Sequence, residues 1–255
     1  MIAAFLAAQA VSLLSMAPPL VFLEPADIEQ AENVEVRLRK PEQKKTLIPA
    51  DSDRSSLWYA PVAVRAVDER TFVWYQRVER DLPEYADRRT LCLGMIVRDR
   101  WITPELQREP PPWGGFNNIV MRRSPHEPTW GGFNVFQIVM HAGNYHMIYW
   151  DQPPEGEAGA LHAASPDGVQ WTTDPPEPLF TDRNDAFTIV QGDGEFLMYQ
   201  TALADWPDKP FEDNLPGQRR VQALRTSTDL INWSAQEIIL TPDDNDKEHT
   251  EFYYM

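Results

Sequence analysis

At residues 165–171 the chain reads Ser-Pro-Asp-Gly-Val-Gln-Trp, and at residues 227–233 it reads Ser-Thr-Asp-Leu-Ile-Asn-Trp, so the two stretches align without a gap. In a stretch of this kind the Asp side chain accepts hydrogen bonds from nearby backbone NH groups, and glycine supplies a positive φ. Both stretches therefore predict a tight turn between two antiparallel strands, with the closing Trp packed back on the sheet. A shortened copy, Val-Arg-Asp-Arg-Trp, occupies residues 97–101.

Each of the three turns closes a longer repeated unit. In every unit an apolar run, a polar turn, an aromatic-rich run, a loop and a second apolar run precede the closing Trp. The closing residues are Trp101, Trp171 and Trp233, with spacings of 70 and 62 residues. A repeat of several tens of residues marks a propeller or a solenoid, and four-stranded sheets arranged radially about an axis form a propeller. The 23 prolines break long helices, which also favours an all-β chain.

The repeat predicts three propeller blades, at about residues 57–112, 113–180 and 181–240, after a lead-in segment at 18–56. The start of a fourth inner strand is predicted near residue 250. Because three blades cannot close a ring, either the chain is incomplete or its terminal strands pair in an unusual way. The first alternative is favoured, and it predicts an exposed sheet edge at the end of the chain.

Charge and composition limit the possible ligands. The chain has 255 residues and a net charge of −16, so it repels the phosphate backbone of a nucleic acid. Nucleic-acid binding is therefore not predicted, and neutral or weakly charged ligands are favoured. The single cysteine, Cys92, lies in an apolar run, which indicates a buried structural thiol. The five histidines show no paired metal-ligand spacing, so neither a metal nor another cofactor is predicted.

Residues 2–16 form an apolar, Ala-rich segment. This segment is too short to span a bilayer, and Ser15-Met16-Ala17 is a small-x-small site of the kind that a signal peptidase cleaves. Residues 1–17 are therefore predicted to be a signal peptide. The mature protein is predicted to be secreted or periplasmic, with no segment inserted in the membrane.

Three short phrases recur in a fixed order along the chain. They are a strand ending in Met-x-Tyr at residues 146–149, the turn at 165–171, and a Phe-Tyr strand at 251–253 that opens after Pro242-Asp243. In these phrases the sequence resembles the five-bladed propeller glycoside hydrolases, the group that holds arabinanases, β-xylosidases, invertases and levansucrases, and their secreted relatives. The match spans about residues 46–255. The resemblance implies a five-bladed β-propeller, of which this chain carries about three blades and the start of a fourth, and a carbohydrate as substrate or ligand.

The resemblance also implies where the chemistry lies. Such enzymes place carboxylates at the starts of inner strands, and cleavage of a glycoside needs one carboxylic acid to protonate the leaving oxygen and one carboxylate to attack or to activate water. We predict Asp185 or Asp182 as nucleophile or base and Glu251 as acid. The predicted substrate-binding residues are Trp58, Asn134, Arg183 and Trp130.

Two further functions stay open at this point. The second unit offers Asn134 at its strand start, and the first has acids only upstream, at Asp51 and Asp53. A non-catalytic carbohydrate-binding propeller is therefore one alternative to a glycosidase. A protein-interaction propeller, which binds through its rim, is the other.

Overall fold

The structure is a computed structural model, and it describes residues 46–48, 56–84, 87–106, 118–126, 132–182, 186–247 and 250–253. The described residues from Leu47 onward belong to one compact unit. Within the described part of the chain there are thirteen β-strands and no α-helix. The predicted all-β fold is therefore confirmed. The predicted signal peptide at 1–17 and most of the lead-in segment lie outside the described residues.

The thirteen strands form three antiparallel sheets, each of which follows the chain in order. We call them blades one, two and three. Blade one contains β1 (Leu57–Val67), β2 (Arg70–Glu79), β3 (Arg89–Val97), β4 (Arg100–Ile102) and β5 (Ile119–Arg122). Blade two contains β6 (Asn134–His141), β7 (Asn144–Asp151), β8 (Gly159–Ser165) and β9 (Thr172–Thr173). Blade three contains β10 (Phe187–Gln191), β11 (Phe196–Asp205), β12 (Gln218–Ser227) and β13 (Glu237–Leu240).

The outer edge of blade one is built from two short strands. Both β4 and β5 pair with β3, the first along residues 95–97 and the second along residues 90–92. Blade two has a similar edge, in which β9 pairs with β8 and Phe180 forms a separate bridge to Ala160. Blade one thus extends to Arg122, beyond the boundary near residue 112 that the repeat suggested, because its outer strand resumes after an insertion.

The two aligned turns have the same hydrogen bonds. Oδ1 of Asp167 accepts the backbone NH groups two and three positions further along, both at 2.8 Å. Oδ1 of Asp229 accepts the equivalent two groups at 2.9 and 2.7 Å. The serine two residues before each Asp donates its hydroxyl to the same oxygen, at 3.0 and 3.1 Å. The tight turn that the sequence predicts is therefore confirmed in both copies.

The closing tryptophans also occupy equivalent places. The indole NH of Trp171 donates to the carbonyl of Gly168 at 3.1 Å, and that of Trp233 donates to the carbonyl of Leu230 at 3.0 Å. Gly168 has a φ of 72° and Leu230 a φ of 68°. The second turn therefore adopts the left-handed conformation without a glycine, and the fully buried Leu230 side chain packs in the core between blades two and three.

Blades one and two share an aromatic and aliphatic core. Trp74 from β2 packs with Leu91, Met147 and Leu161, and only 1% of its surface is exposed. Its indole NH donates to the carbonyl of Gly168 at 2.8 Å, which ties blade one to the turn of blade two. A Cβ added at Gly168 would lie 2.5 Å from the Trp74 ring, so the contact needs glycine there.

Glutamine side chains connect neighbouring blades in the manner of an extra strand. The amide of Gln76 donates to the carbonyl of Phe133 at 3.4 Å and accepts the NH of Val135 at 3.3 Å. The amide of Gln137 pairs in the same way with both backbone groups of Ile189, at 2.8 and 2.7 Å. These bonds fix the innermost strand of each blade against the blade before it.

Cys92 lies in β3 and is fully buried between Tyr75 and Ile119. Burial raises the pKa of its thiol to about 11, and Thr90 partly opposes this rise through a hydrogen bond. A thiol with so high a pKa holds its proton at neutral pH, so it is a poor nucleophile. This agrees with the structural role expected from the sequence.

Candidate functional site

The strands of each blade run antiparallel in chain order. The first and third strands of a blade therefore begin at the end of the sheet where the second and fourth strands finish. The starts of β1, β6 and β10 therefore lie at the same end of their blades as the loops that follow β2, β7 and β11. We call this end the strand-start face. The tight turns at residues 165–171 and 227–233 lie at the opposite end, since they join the third strand of a blade to its fourth.

Residues 250–253 contact blade three as the start of β6 contacts blade one. The NH of Phe252 donates to the carbonyl of Arg220 at 3.1 Å, and the side chain of Gln222 donates to the carbonyl of Phe252 at 3.1 Å. In blade one, Gln76 and Arg89 bind the carbonyl of Phe133 in the same manner. Glu251 therefore stands on a segment held like the beginning of an inner strand.

Both carboxylate oxygens of Glu251 are bound by cations. Lys209 contacts Oε1 at 3.1 Å and Arg220 contacts Oε2 at 2.6 Å, while 15% of the Glu251 side chain is exposed. Glu251 is therefore fixed in position by charge-assisted bonds to both of its oxygens.

Lys209 is the least exposed of the three residues in the Glu251 cluster, which consists of Glu251, Lys209 and Arg220. Only 2% of its side chain is accessible, and its ammonium group also binds Asp213 Oδ2 at 2.8 Å and the backbone carbonyl of Gln218 at 2.8 Å. It lies 4.6 Å from the centroid of the Phe211 ring. Lys209 thus joins the loop between β11 and β12 to the segment that carries Glu251.

Aromatic rings contact Arg219 and Arg220, the two arginines near the start of β12. The guanidinium of Arg219 lies 4.2 Å from the centre of the Trp206 ring, and that of Arg220 lies 4.9 Å from the centre of the Tyr253 ring. Tyr253 is 45% exposed, and Trp58 at the start of β1 is 42% exposed. Flat exposed rings offer the kind of surface on which the C–H face of a sugar stacks.

Asp182 is held by a different cation. Its carboxylate forms an ion pair with Arg225 of β12, which is 6% exposed, whereas 48% of the Asp182 side chain is accessible. The same guanidinium lies 4.4 Å from the centre of the Phe180 ring and donates to the carbonyl of Ser234 at 2.6 Å. Asp182 is thus fixed beside the junction of blades two and three, with its carboxylate still open to solvent.

The remaining predicted site residues divide into two groups. Trp58 is exposed at the start of β1, and Asn134 is half-buried at the start of β6, where it pairs with Trp150. Asp185, Arg183 and Trp130 lie outside the described residues. Among the residues that the structure describes, no hydrogen bond or ion pair joins Asp182 to Glu251. Their roles therefore stay predictions.

One acid that the sequence reasoning did not single out is Asp151, at the end of β7 on the strand-start face. Its oxygens accept the NH groups of Ser124 at 2.6 Å and Gln152 at 2.9 Å. Burial raises the pKa of Asp151 to about 6, while those two bonds and Arg123 oppose the rise. Only 4% of the residue is exposed, so it holds the segment before β6 in place and does not itself face a ligand. Its position directly after Tyr149-Trp150 was the available signal.

Two kinds of feature are absent from the described part of the chain. No group of three or more His, Cys, Asp or Glu side chains has the arrangement of a metal site there. Among the same residues, no helix has the length and apolar character needed to cross a membrane.

The solved structures that are similar to this chain are glycoside hydrolases. They include the family 117 glycoside hydrolase Zg3597 of the marine bacterium Zobellia galactanivorans, with a TM-score of 0.48, 12% identity, and coverage of 74% of this chain and 58% of that one. A second neighbour is a family 43 β-xylosidase/α-arabinofuranosidase from a compost metagenome, in complex with xylotriose. Its TM-score is 0.44 at 9% identity, and the match covers 70% of this chain and 58% of that one. A third is the family 93 α-L-arabinofuranosidase of Fusarium graminearum, in complex with arabinobiose. Its TM-score is 0.45 at 14% identity, and the match covers 72% of this chain and 49% of that one.

The chain spans about half to three-fifths of the length of these neighbours. No protein-family model matches the sequence, and no curated protein does.

Proposed function

We propose that this protein is carbohydrate-active, and that it binds a glycan at the strand-start face and hydrolyses a glycosidic bond there. The observation that carries the proposal is the placement of Glu251. Its carboxylate is held on blade three by Lys209 and Arg220, beside the exposed ring of Tyr253. A fixed carboxylate next to an exposed aromatic ring supplies both a reactive group and a surface for a sugar.

The proposed chemistry uses two carboxyl groups with different roles. One must donate a proton to the leaving oxygen and the other must attack or activate water. As in the sequence analysis, Asp185 or Asp182 is proposed as nucleophile or base and Glu251 as the acid. Trp58, Asn134, Arg183 and Trp130 are proposed to contact the sugar.

A non-catalytic glycan-binding protein is the second candidate. The starts of β1 and β6 present Trp58 and Asn134, and neither side chain can serve as an acid or a base. This observation favours binding without turnover. In both cases we propose that the protein acts outside the cytoplasm, after removal of the apolar segment at residues 1–17.

The proposal is tested by assays of wild type on aryl arabinofuranosides and aryl xylosides, with arabinobiose and xylotriose as oligosaccharide probes. The variants are Glu251→Gln, Asp182→Asn and Asp185→Asn. We expect Glu251→Gln and one aspartate variant to lower kcat/KM by about 100- to 10,000-fold, since each removes a proton-transfer or attacking group.

The matched control is Glu69→Gln, whose carboxylate is 81% exposed in the turn between β1 and β2, at the opposite end of blade one. It is expected to keep wild-type activity. Turnover that survives in Glu251→Gln and in both aspartate variants would contradict the site. Glycan binding without turnover, abolished in Trp58→Ala, supports the second candidate.

A further inference from the structure

Three histidine rings meet on the side of blade two that faces blade three. His146 on β7 and His162 on β8 lie diagonally across the strand pair, since His162 is directly opposite Ile148. Nδ1 of His146 and Nε2 of His162 are 2.9 Å apart, and the His141 ring lies 5.8 Å from the His146 ring. Neither the fold nor the proposed glycan site uses these rings.

The position of one proton in the pair follows from geometry. Nδ1 of His162 lies 2.6 Å from the carbonyl oxygen of Asp174, and a carbonyl oxygen only accepts, so this nitrogen carries the proton. In a neutral His162, Nε2 then carries a lone pair and accepts a hydrogen bond from Nδ1 of His146. The two rings therefore form a hydrogen-bonded chain, in which His146 donates to His162 and His162 donates to the carbonyl of Asp174.

A second proton on His146 would lie on a buried nitrogen. Nε2 is buried and lacks a hydrogen-bond partner of acceptable geometry. Burial lowers the pKa of His146 below its ordinary value of 6.5, the neighbouring His162 lowers it further, and the backbone of His141 only partly offsets this. The groups that shift the pKa of His146 are His162 on β8 and His141 on β6, and they include no carboxylate among the described residues. From blade three, the uncharged ring of Phe196 contacts His141.

The pair borders the core that joins blades two and three. Ile148 and Trp150, on the same face of β7 as His146, pack in one cluster with Phe196 and Met198 of blade three. The His141 ring contacts Phe196 edge-on, with centroids 5.1 Å apart. A charge gained on His146 is therefore placed beside apolar contacts that hold the two blades together.

We propose that the His146–His162 pair is an acid-sensitive contact that keeps blades two and three packed while His146 is neutral and loosens them when His146 binds a further proton. The sign follows from linkage. The folded state binds fewer protons than the unfolded state just below pH 6.5, so stability falls as the pH drops through this window.

Hydrogen exchange at pH 7.5 and pH 5.5, corrected for the intrinsic pH dependence of exchange, tests the proposal. In wild type we expect β7, β8 and β11 to lose protection at the lower pH, while β2 and β3 keep theirs. His146→Gln, which cannot titrate and can still donate to His162, is expected to lose no protection in those strands. His126→Gln, at an exposed position, is the matched control and should behave as wild type.

Imidazole ¹⁵N spectra at pH 7.5 test the proton positions independently of any variant. We expect His162 and His146 both to carry their proton on Nδ1. A His162 protonated on Nε2 would overturn the proposal. So would equal loss of protection in wild type and His146→Gln.

Discussion

Replacing Trp74 with Ala is expected to lower the free energy of unfolding by about 3–5 kcal/mol, the range for a large aromatic side chain removed from a core. Trp74 is 1% exposed, packs on side chains from β3, β7 and β8, and donates its indole NH to the carbonyl of Gly168 at 2.8 Å. The substitution therefore leaves a cavity at the junction of blades one and two. Chemical denaturation followed by circular dichroism measures the change.

Trp58→Ala is the matched control for this substitution. Trp58 is 42% exposed, so its removal is expected to cost less than about 1 kcal/mol. Equal losses for the two variants would show that Trp74 does not lie between packed blades.

The second large effect is expected for Lys209→Met. This substitution removes a cation whose side chain is 2% exposed and leaves Glu251 with Arg220 alone. Lys209 also donates to the backbone carbonyls of Leu215 and Gln218, and loss of the donor to such partly buried groups is expected to cost about 1–3 kcal/mol. We also expect residues 250–253 to lose hydrogen-exchange protection, because Lys209 is one of the groups that hold this segment on blade three.

The control for Lys209→Met is Arg98→Met. The pair between Arg98 and Glu69 is 3.9 Å long and its side chains are 84% and 81% exposed. Exposed ion pairs contribute little, so the change in stability should stay within about 0.5 kcal/mol. A stable Lys209→Met protein with unchanged protection at 250–253 would contradict the assigned role of Lys209.

Features of the fold that depend on local patterns could be predicted from the sequence. Asp167 and Asp229 bind backbone groups only a few residues away, so the aligned stretches contain all the information that the turns need. The closing tryptophans mark the repeat for the same reason. The interrupted outer strand of blade one was harder to predict, because β5 resumes pairing with β3 after an insertion whose length the repeat does not set.

The candidate site depends on contacts between residues far apart in the chain. The sequence suggested Glu251 from its place at a strand start, but its partner Lys209 lies 42 positions away in a loop that no local pattern marks. The ion pair of Asp182 with Arg225 likewise joins residues 43 positions apart. Asp151 was missed because its raised pKa results from burial, and burial depends on contacts with residues distant in the chain, such as Ser124.

Chemical-shift mapping with the oligosaccharide that binds best tests the central claim most directly, since it locates the ligand without requiring turnover. With ¹⁵N-labelled protein we expect the largest shifts at the Trp58 indole, at residues 250–253 and at the starts of β1 and β6. The turns at 165–171 and 227–233 should stay unchanged. Shifts confined to those turns, at the opposite end of the blades, would contradict a glycan site at the strand-start face.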